Sequence, residues 1–427
     1  MLDVFLVLSV TLAVLFTGIP VAYCLGIGGA VGVAMTIGLE PTIAQVSTTV
    51  FDAGFVYEFS VVPLFVLMGN LISTARISDK LFEAARSFLG HYPGGLGMAT
   101  AVACGGFAAI SGSSLATAAA MSKASMPTMR RYGYADSLST GVIAAGGSLG
   151  ILIPPSIVLI IYGIMTQEDI TSLFLAGILP GLLGIIGYMI AVRVVTWIRP
   201  GAGPAADRHG WAERLHALKQ VGDFLILFVI VLGGLYGGIF TSTEAAAFGA
   251  ITALILIIAR RRMTWAQFVE ALISTSTTTA MLFCIYVGAL LLTSYINYSD
   301  LPFILDDLIE RFDMSQMQVI FVILGVCLLL GMVLEAFSIV LLIVPIALPI
   351  LLAMDVNLIW FGILLVVVTE ISLISPPVGM NVFVLKSVNP NIELKTIFRG
   401  VLPFVLIDLI RLGILIAFPI LSLCLIQ

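Results

Sequence analysis

Charged residues are scarce in this sequence. They make up 10% of its 427 residues, while 60% of the residues are apolar; soluble domains carry about 25% charged residues. Many stretches reach the ~20 apolar residues that a membrane-spanning helix requires. A soluble core of this size would interleave charge at the period of a helix or a strand. The composition therefore predicts an all-α membrane protein that crosses the bilayer several times.

Residues with nucleophilic or metal-binding chemistry are also few. An intramembrane enzyme needs a nucleophile with a base, or a metal cluster, and the sequence shows neither at predicted membrane depth. It has no GxxxxGK[ST] phosphate loop, which excludes ATP hydrolysis by that machinery. We therefore predict a protein that is not an enzyme and uses no organic cofactor. The cysteines lie in apolar stretches without metal-site spacing, and we expect all five to be buried packing residues: Cys24, Cys104, Cys284, Cys327 and Cys424.

Two adjacent prolines interrupt an apolar stretch in each half of the chain. Pro154-Pro155 in "ILIPPSIVLII" is echoed 222 residues later by Pro376-Pro377 in "SLISPPVGMNVF". Proline removes a backbone N–H and its ring clashes with the preceding turn, so a continuous helix is unfavourable. In lipid, irregular backbone is tolerated only where it lines a cavity or is buried in protein. We therefore predict broken helices over 137–163 and 358–385.

The echo extends beyond the prolines. The same offset relates Pro127 to Pro349, and near the start of each half "LFTGIP" resembles "LYGGIF". Several matching motifs at nearly constant spacing indicate an internal duplication. We predict a first repeat over 1–198, a solvated cytoplasmic linker over 199–220 and a second repeat over 221–427.

Loop charges predict that the two repeats are inverted. Basic loops are expected on the cytoplasmic side, and they are 123–131, 199–219, 260–262 and 386–399. The acidic segment 300–313 then falls outside. This arrangement requires re-entrant hairpins at 95–127 and 316–351, which leaves five crossings in each repeat and ten in total. Amphipathic segments before each hairpin, such as "LPFILDDLIERFDM", are predicted to lie along the membrane interface with their acidic residues solvated.

Inverted repeats with broken helices indicate a secondary transporter, whose sites gather where half-helices end. Hydroxyls and freed carbonyls are hard oxygen ligands suited to sodium, and helix N-termini attract anions. Small residues also allow close helix packing, which is the alternative explanation. The candidate ion- and substrate-binding residues of the first half are Ser111, Gly112, Ser113, Ser114, Thr117, Gly147, Ser148, Gly150, Pro154 and Pro155. Those of the second half are Gly331, Glu335, Ser338, Thr369, Glu370, Ser372, Pro376, Pro377 and Asn381.

Three further polar positions carry separate expectations. Asp408 and Arg411 are three residues apart in the last long apolar stretch, and we expect them to pair with each other. Glu244 is expected near the outer interface, and we predict that Thr241, Ser242 and Thr243 before it cap a helix. No arginine or lysine is expected beside the two proline breaks, so a substrate anion would depend on hydroxyls, N–H groups and bound sodium.

Four strings in this chain resemble one known family: "AAISGSSLATAAAMSKASMPTMRRYGY", "GGSLGILIPPSIVLIIYG", "TSTEAAAFGA" and "ISPPVGMNVF". The family is the large membrane subunit of tripartite ATP-independent periplasmic (TRAP) transporters, the DctM-like subunit of C4-dicarboxylate type. The likeness covers essentially the whole chain. It implies an elevator-type fold, similar to the ion transporter superfamily, that takes up a carboxylate with sodium as coupling ion across a bacterial or archaeal inner membrane.

The same resemblance implies two protein partners, a small four-helix membrane subunit and a periplasmic substrate-binding protein. It also places sodium and substrate at the hairpin tips and the helix breaks. Besides the intramembrane enzyme considered above, two alternative functions stay open. A stand-alone sodium/carboxylate symporter would need no binding protein, and a passive channel would not need paired broken helices.

Overall fold

The computed structural model describes residues 2–74, 77–260 and 263–426, and within these ranges the chain forms helices and no strands. The all-α prediction is confirmed. Arg261 and Arg262, which belong to one of the predicted basic loops, lie outside the described residues.

Helices α1 to α10 precede residue 199. They are α1 (Leu2–Leu15), α2 (Val21–Ile37), α3 (Leu39–Gly54), α4 (Val61–Thr74), α5 (Ile77–Leu89), α6 (Gly95–Ser111), α7 (Ser114–Arg131), α8 (Asp136–Ser148), α9 (Ile157–Thr166) and α10 (Ile170–Ile198).

Helices α11 to α22 follow. They are α11 (Trp211–Gln220), α12 (Gly222–Phe228), α13 (Gly234–Tyr236), α14 (Ser242–Ala259), α15 (Trp265–Tyr298), α16 (Leu301–Arg311), α17 (Gln316–Gly331), α18 (Ala336–Ala353), α19 (Leu358–Ile374), α20 (Met380–Val388), α21 (Leu394–Ala417) and α22 (Ile420–Leu423).

Six described helical segments are long and apolar enough to cross a membrane, or seven if a bent pair counts as one span. The six are Tyr57–Thr74, Ile170–Ile198, Ser242–Ala259, Trp265–Tyr298, Ala336–Ala353 and Leu394–Ala417. Shorter apolar helices, including α2, α6, α9, α17 and α19, add further membrane-compatible segments. The protein is therefore polytopic, and the count of ten crossings stays a prediction.

Both predicted broken helices are confirmed. Helix α8 ends at Ser148, and α9 begins only at Ile157 after a 3₁₀ turn and an irregular segment. Helix α19 ends at Ile374, and α20 begins at Met380. The Pro154–Pro155 and Pro376–Pro377 peptide bonds are both cis.

Each half also has a helix pair with a short polar tip, α6 with α7 and α17 with α18. Helix α7 runs through Pro127 to Arg131, beyond the predicted hairpin end at 127. It ends there because Gly133 adopts a left-handed conformation, with φ of 76°, and the N–H of Tyr134 donates to the carbonyl of Met129 at 3.0 Å. Helix α18 likewise runs to Ala353 rather than 351.

The linker over 199–220 is partly helical, because its second part forms a helix, α11, that has no buried residue; its cytoplasmic position stays a prediction. Helix α11 occupies Trp211–Gln220, built from good helix formers, and it packs on α5. The Arg214 guanidinium donates from Nε to the carbonyl of Ser87 at 3.1 Å, and the Ala206 N–H donates to the carbonyl of Gly90 at 2.9 Å. The connection between the halves is thus bound to the base of the first hairpin.

The prediction of buried cysteines is confirmed only in part. Cys24, Cys104 and Cys327 are buried as predicted, and all five cysteines are free thiols, but Cys284 and Cys424 are exposed. Their helices present these side chains on faces that no other described helix covers, and an apolar thiol tolerates a lipid-facing position. The predicted N-cap is confirmed, because Thr241 and Glu244 form a reciprocal capping box at the start of α14.

The first broken helix crosses α21 at a very short distance. Helices α8 and α21 meet at Gly141 and Gly400, where a Cβ added to Gly141 would lie 2.1 Å from the Gly400 carbonyl oxygen. A Cβ on Gly400 would lie 1.9 Å from the carbonyl oxygen of Ser137. Only glycine permits this contact, so the first broken helix is packed directly against a helix of the second half.

Candidate ion and substrate site

The tip of the first hairpin is a compact group of hydroxyls. Ser111 Oγ and Thr117 Oγ1 are hydrogen-bonded at 2.6 Å, and Thr117 Oγ1 donates to the Ser113 carbonyl at 2.8 Å. Ser113 is the N-cap of α7, where its Oγ accepts from the Ala116 N–H at 3.4 Å. The tip therefore gathers several oxygen atoms at the N-terminus of a buried helix.

This tip lies against the first break. Gly112, with φ of 57°, makes the turn, and a Cβ there would lie 3.2 Å from the carbonyl oxygen of Pro155. A Cβ on Gly150 would lie 2.8 Å from the Ser113 carbonyl oxygen and 3.1 Å from Thr117 Oγ1. The structure thus brings hairpin tip and helix break together in the first half, as the sequence predicted. We call this group the first oxygen cluster, formed by Ser111, Gly112, Ser113, Thr117, Gly150 and Pro155.

Four other candidates of the first half contribute less directly. Ser114 is buried at the first position of α7, and Pro154 lies within the break. A Cβ on Gly147 would lie 2.8 Å from the Ala118 Cβ, so this glycine lets α7 and α8 approach closely. The Ser148 hydroxyl donates to the Ala145 carbonyl at 2.7 Å within its own helix. Gly147 and Ser148 are therefore packing residues in this structure.

In the second half, the hairpin tip again meets the break. The Gly379 N–H donates to the carbonyl of Met332 at 3.1 Å, and a Cβ on Gly331 would lie 2.1 Å from Ser372 Oγ. Glu335 is the N-cap of α18 and is half-buried. Its position in α17–α18 corresponds to that of Ser113 in α6–α7, as the offset of 222 predicts.

The polar side chains of α19 and α18 complete this second oxygen cluster. Thr369 Oγ1 donates to the Leu365 carbonyl at 2.8 Å, and Ser372 Oγ donates to the Thr369 carbonyl at 2.7 Å. Each hydroxyl oxygen keeps lone pairs for a further contact. Ser338 Oγ is fully buried and has no hydrogen-bond partner within the described ranges. We use the name second oxygen cluster for the polar and glycine positions of this tip and break: Gly331, Glu335, Ser338, Thr369, Ser372 and Gly379.

The two breaks differ in exposure. Pro154 and Pro155 are buried, whereas Pro376 and Pro377 are exposed. One side of the site is therefore covered by protein and the other is open.

One side chain connects the two breaks directly. Asn381, in the first turn of α20, donates from Nδ2 to the carbonyl of Ala144 in α8 at 3.0 Å. Its side chain is fully buried, and Oδ1 has no hydrogen-bond partner among the described residues. Asn381 therefore orients the two broken helices relative to each other, and it presents a free amide oxygen between them.

Glu370 contacts a charged side chain, unlike the candidate residues that carry hydroxyl groups. It forms an ion pair with Arg411, which also pairs with Asp408 at 3.0 Å. The predicted pairing of Asp408 with Arg411 is confirmed. The expectation that no arginine or lysine lies beside the breaks is wrong, because Arg411 reaches across from α21 to the last two turns of α19. A sequence separation of 41 residues concealed this contact.

Ser156 is a site residue that the sequence analysis missed. It is fully buried between the first break and α9, its Oγ donates to the carbonyl of Ile151, and it accepts from the Leu159 N–H at 3.3 Å. A serine after Pro-Pro and before an apolar stretch is a recognisable N-cap signal, and it locates the start of α9.

Across the described residues, no group of three or more histidine, cysteine, aspartate or glutamate side chains is placed to hold a metal ion. The two oxygen clusters instead consist of hydroxyls, backbone carbonyls, helix N-termini and the Glu335 carboxylate. This chemistry suits a weakly held monovalent cation and an organic anion rather than a tightly bound transition metal.

Comparison with known proteins identifies the family. The sequence model described as "Tripartite ATP-independent periplasmic transporter, DctM component" matches residues 8–421. The chain belongs to the DctM family of TRAP transporters. This confirms the resemblance seen in the sequence, and it makes the protein a transporter permease subunit and not an enzyme.

Curated DctM-family relatives cover nearly the whole chain. The C4-dicarboxylate TRAP transporter large permease protein DctM of Pseudomonas aeruginosa is 34% identical over 403 residues, covering 94% of this chain and 93% of that protein. The sialic acid TRAP transporter large permease protein SiaM of Vibrio cholerae is 32% identical, covering 96% and 95%. The isethionate TRAP transporter permease protein DctMQ of Oleidesulfovibrio alaskensis is 32% identical, covering 92% of this chain and 61% of that protein.

A solved structure shares the fold. The YdaH transporter of Alcanivorax borkumensis, described as having an unusual topology, superposes with a TM-score of 0.66 over 90% of both chains, at 15% identity. The DctM-family chain described here is thus an all-α polytopic transport subunit whose relatives are permeases for organic acids.

Proposed function

We propose that this chain is the transport subunit of a sodium-coupled, binding-protein-dependent TRAP system that takes up an organic acid across a bacterial inner membrane. The observation that carries the proposal is the pairing of a hairpin tip with a helix break in each half, together with the Asn381–Ala144 hydrogen bond that joins the two broken helices. The halves would be inverted repeats over 1–198 and 221–427.

Sodium is the cation that these clusters favour. Sodium is held by hydroxyl and carbonyl oxygens, and its transport sites must bind weakly enough to release it. The first cluster offers Ser111, Ser113 and Thr117 oxygens beside an irregular backbone segment. The second offers the unpartnered Ser338 hydroxyl and the half-buried Glu335. One sodium ion in each cluster is the simplest arrangement.

An organic anion would be held by helix N-termini. Helices α7, α9, α18 and α20 all begin at a tip or a break, with Ser113, Ser156, Glu335 and Gly379 as their N-caps. The free N–H groups and the partial positive charge of such ends attract carboxylates. The names of the relatives, which include C4-dicarboxylate, sialic acid and isethionate permeases, support a small organic acid as substrate.

The proposed motion is of elevator type. The Asn381–Ala144 bond and the Gly141–Gly400 crossing bind the two breaks into one unit that would move together. An open cleft of about 620 Å³ lies beside the connection between α9 and α10, with Glu58, Glu168 and Tyr286 among its lining residues.

Two protein partners are part of the proposal. A relative named DctMQ aligns with this chain over only 61% of its own length, so its remaining part matches nothing here. A separate small four-helix membrane subunit would supply that part, and a periplasmic binding protein would deliver the substrate.

The test is uptake of radiolabelled organic acid into proteoliposomes that contain this chain, its small subunit and its binding protein. We expect uptake to require an inward sodium gradient, and Ser113→Ala to raise the sodium concentration needed for half-maximal rate. Undiminished uptake with potassium in place of sodium would refute sodium coupling. Uptake that only equilibrates the substrate, without accumulation, would indicate a passive channel.

A further inference from the structure

A buried cluster of charged residues connects three helices next to the second oxygen cluster. Arg411 in α21 forms ion pairs with Glu370 in α19 and with Asp408, and Tyr188 in α10 donates its hydroxyl to Asp408 Oδ2 at 2.7 Å. Glu370, Asp408 and Tyr188 have no exposed surface and Arg411 is 3% exposed. We call these four residues the charge cluster.

The fold itself does not require this cluster. At the offset of 222 that aligns the two Pro-Pro breaks, the counterpart of Glu370 is Ser148. Helix α10 stands in the place of α21 in the first half, and it has no charged residue over 170–192. The first half therefore builds the same broken helix with apolar residues and a serine at these positions.

Some polar atoms of the charge cluster also lack hydrogen-bond partners. Two carboxylates share a single guanidinium as their ion-pair partner. Glu370 Oε1, Arg411 Nε and Arg411 Nη1 have no hydrogen-bond partner within the described part of the chain. Gly184 makes room for the guanidinium, since a Cβ there would lie 2.2 Å from Arg411 Nη1. Replacing such a buried group by apolar residues is often neutral or stabilising, so the presence of these charges is weak evidence for a role in stability.

Glu370 lies in α19, the helix that also carries Thr369 and Ser372 of the second oxygen cluster. It follows Thr369 and precedes Ser372 by two positions, and Ser372 contacts the hairpin at Gly331. The ion pair with Arg411 therefore holds the last turns of α19 against α21. These turns of α19 carry the hydroxyls of Thr369 and Ser372. The charge cluster also lies within about one helical turn of those oxygens, in a setting where electrostatic interactions are weakly screened.

We propose that Glu370, held by Arg411, is a positioning residue that raises the sodium affinity of the second oxygen cluster. This inference rests on the proposed function, because it assumes that sodium binds there. Glu370 does not ligate the ion: it orients α19 and supplies an electrostatic attraction that the first half lacks. The two clusters then differ in sodium affinity, and the second cluster depends on the charge cluster.

The test compares Glu370→Gln with Asp223→Asn in proteoliposomes. Asp223 forms an ion pair with Arg260 at 2.9 Å, and neither residue belongs to an oxygen cluster or to a break, so the control removes one carboxylate charge from a pair outside the two clusters. We expect Glu370→Gln to raise the sodium concentration for half-maximal uptake about tenfold, with less than a twofold change in substrate KM at saturating sodium. Glu370→Asp, which keeps the charge, should restore most of the sodium affinity, and Asp223→Asn should leave it unchanged.

A stability measurement separates this role from a purely structural one. If Glu370→Gln does not yield folded protein, the triple variant Glu370→Met, Asp408→Leu, Arg411→Met removes all the charges together, and we expect it to fold and to show the same sodium shift. Sodium affinity unchanged in a folded variant would overturn the inference. The inference would also be overturned if sodium affinity, substrate affinity and melting temperature all fell together, because that pattern indicates a purely structural role. A wild-type protein whose uptake ignores sodium would instead refute the proposed function, and this inference with it.

Discussion

The Asn381 side chain donates a hydrogen bond to the carbonyl of Ala144, 237 positions earlier in the chain, and thereby connects the two broken helices. Both partners are buried. The buried Asn381 amide depends on such an acceptor, because burial of a polar group without a partner is unfavourable. This contact helps the two halves of the site to keep a fixed relative position.

Asn381→Ala should therefore destabilise the protein. The change removes one buried hydrogen bond between the two broken helices, which corresponds to about 0.5–1.5 kcal/mol, and thermal unfolding in detergent should show a lower melting temperature. Asn389→Ala is the matched control: its amide donates to Ser122 Oγ at 2.8 Å in a partly exposed position, so a smaller shift is expected. Equal shifts in both variants would contradict the special role of Asn381.

Gly150→Ala should disrupt the first oxygen cluster. The added Cβ would lie 2.8 Å from the Ser113 carbonyl oxygen, so the hairpin tip must move away from the break; overpacking of this kind destabilises by about 1–3 kcal/mol. We expect the sodium requirement of uptake to rise severalfold. Gly413→Ala in α21 meets no atom within 4 Å and should behave like wild type. A normal sodium response in Gly150→Ala would show that the cluster does not bind the ion.

Cysteine labelling should reveal the inverted topology. Asp307, Asp355 and Arg131 are all exposed, and the loop charges place the first two outside and Arg131 inside. Native Cys284 and Cys424 are exposed and should first be replaced by serine. In right-side-out vesicles, an impermeant thiol reagent should then label Asp307→Cys and Asp355→Cys but not Arg131→Cys. Labelling of Arg131→Cys from outside would contradict the inverted repeats.

Local signals predicted the framework of this site well. Proline pairs locate both breaks, and glycine with small hydroxyls locates the first hairpin tip, because backbone geometry there depends on the residue itself. Contacts between distant segments were not predictable. The Glu370–Arg411 pair joins two separate helices, and the Asn381–Ala144 bond joins two halves, so neither leaves a periodic signal in one sequence. The helix α11 was missed because a charged segment between apolar stretches resembles a solvated loop.

The acidic helix α16 should assist docking of a binding protein. Asp306, Asp307 and Glu310 are exposed on it, and a patch of one charge accelerates association with a partner of opposite charge. The double variant Asp306→Asn, Asp307→Asn should slow binding-protein-dependent uptake severalfold at low salt, and the difference should shrink at high salt because surface charges are screened. Glu393→Gln, exposed on a predicted cytoplasmic loop, should have no effect. A defect that persists at high salt would contradict electrostatic docking.

Uptake of dilute substrate should depend on the binding protein. The buried guanidinium of Arg411 is engaged by Glu370 and Asp408, so the substrate anion is left to hydroxyls, bound sodium and helix N-termini, each of which contributes on the order of 1 kcal/mol. Weak intrinsic affinity follows, and a partner that captures the substrate and delivers it at high local concentration would offset it. We therefore expect vesicles with this chain and its small subunit to take up micromolar substrate only when the binding protein is present. Equal rates with and without that protein would identify a stand-alone symporter instead.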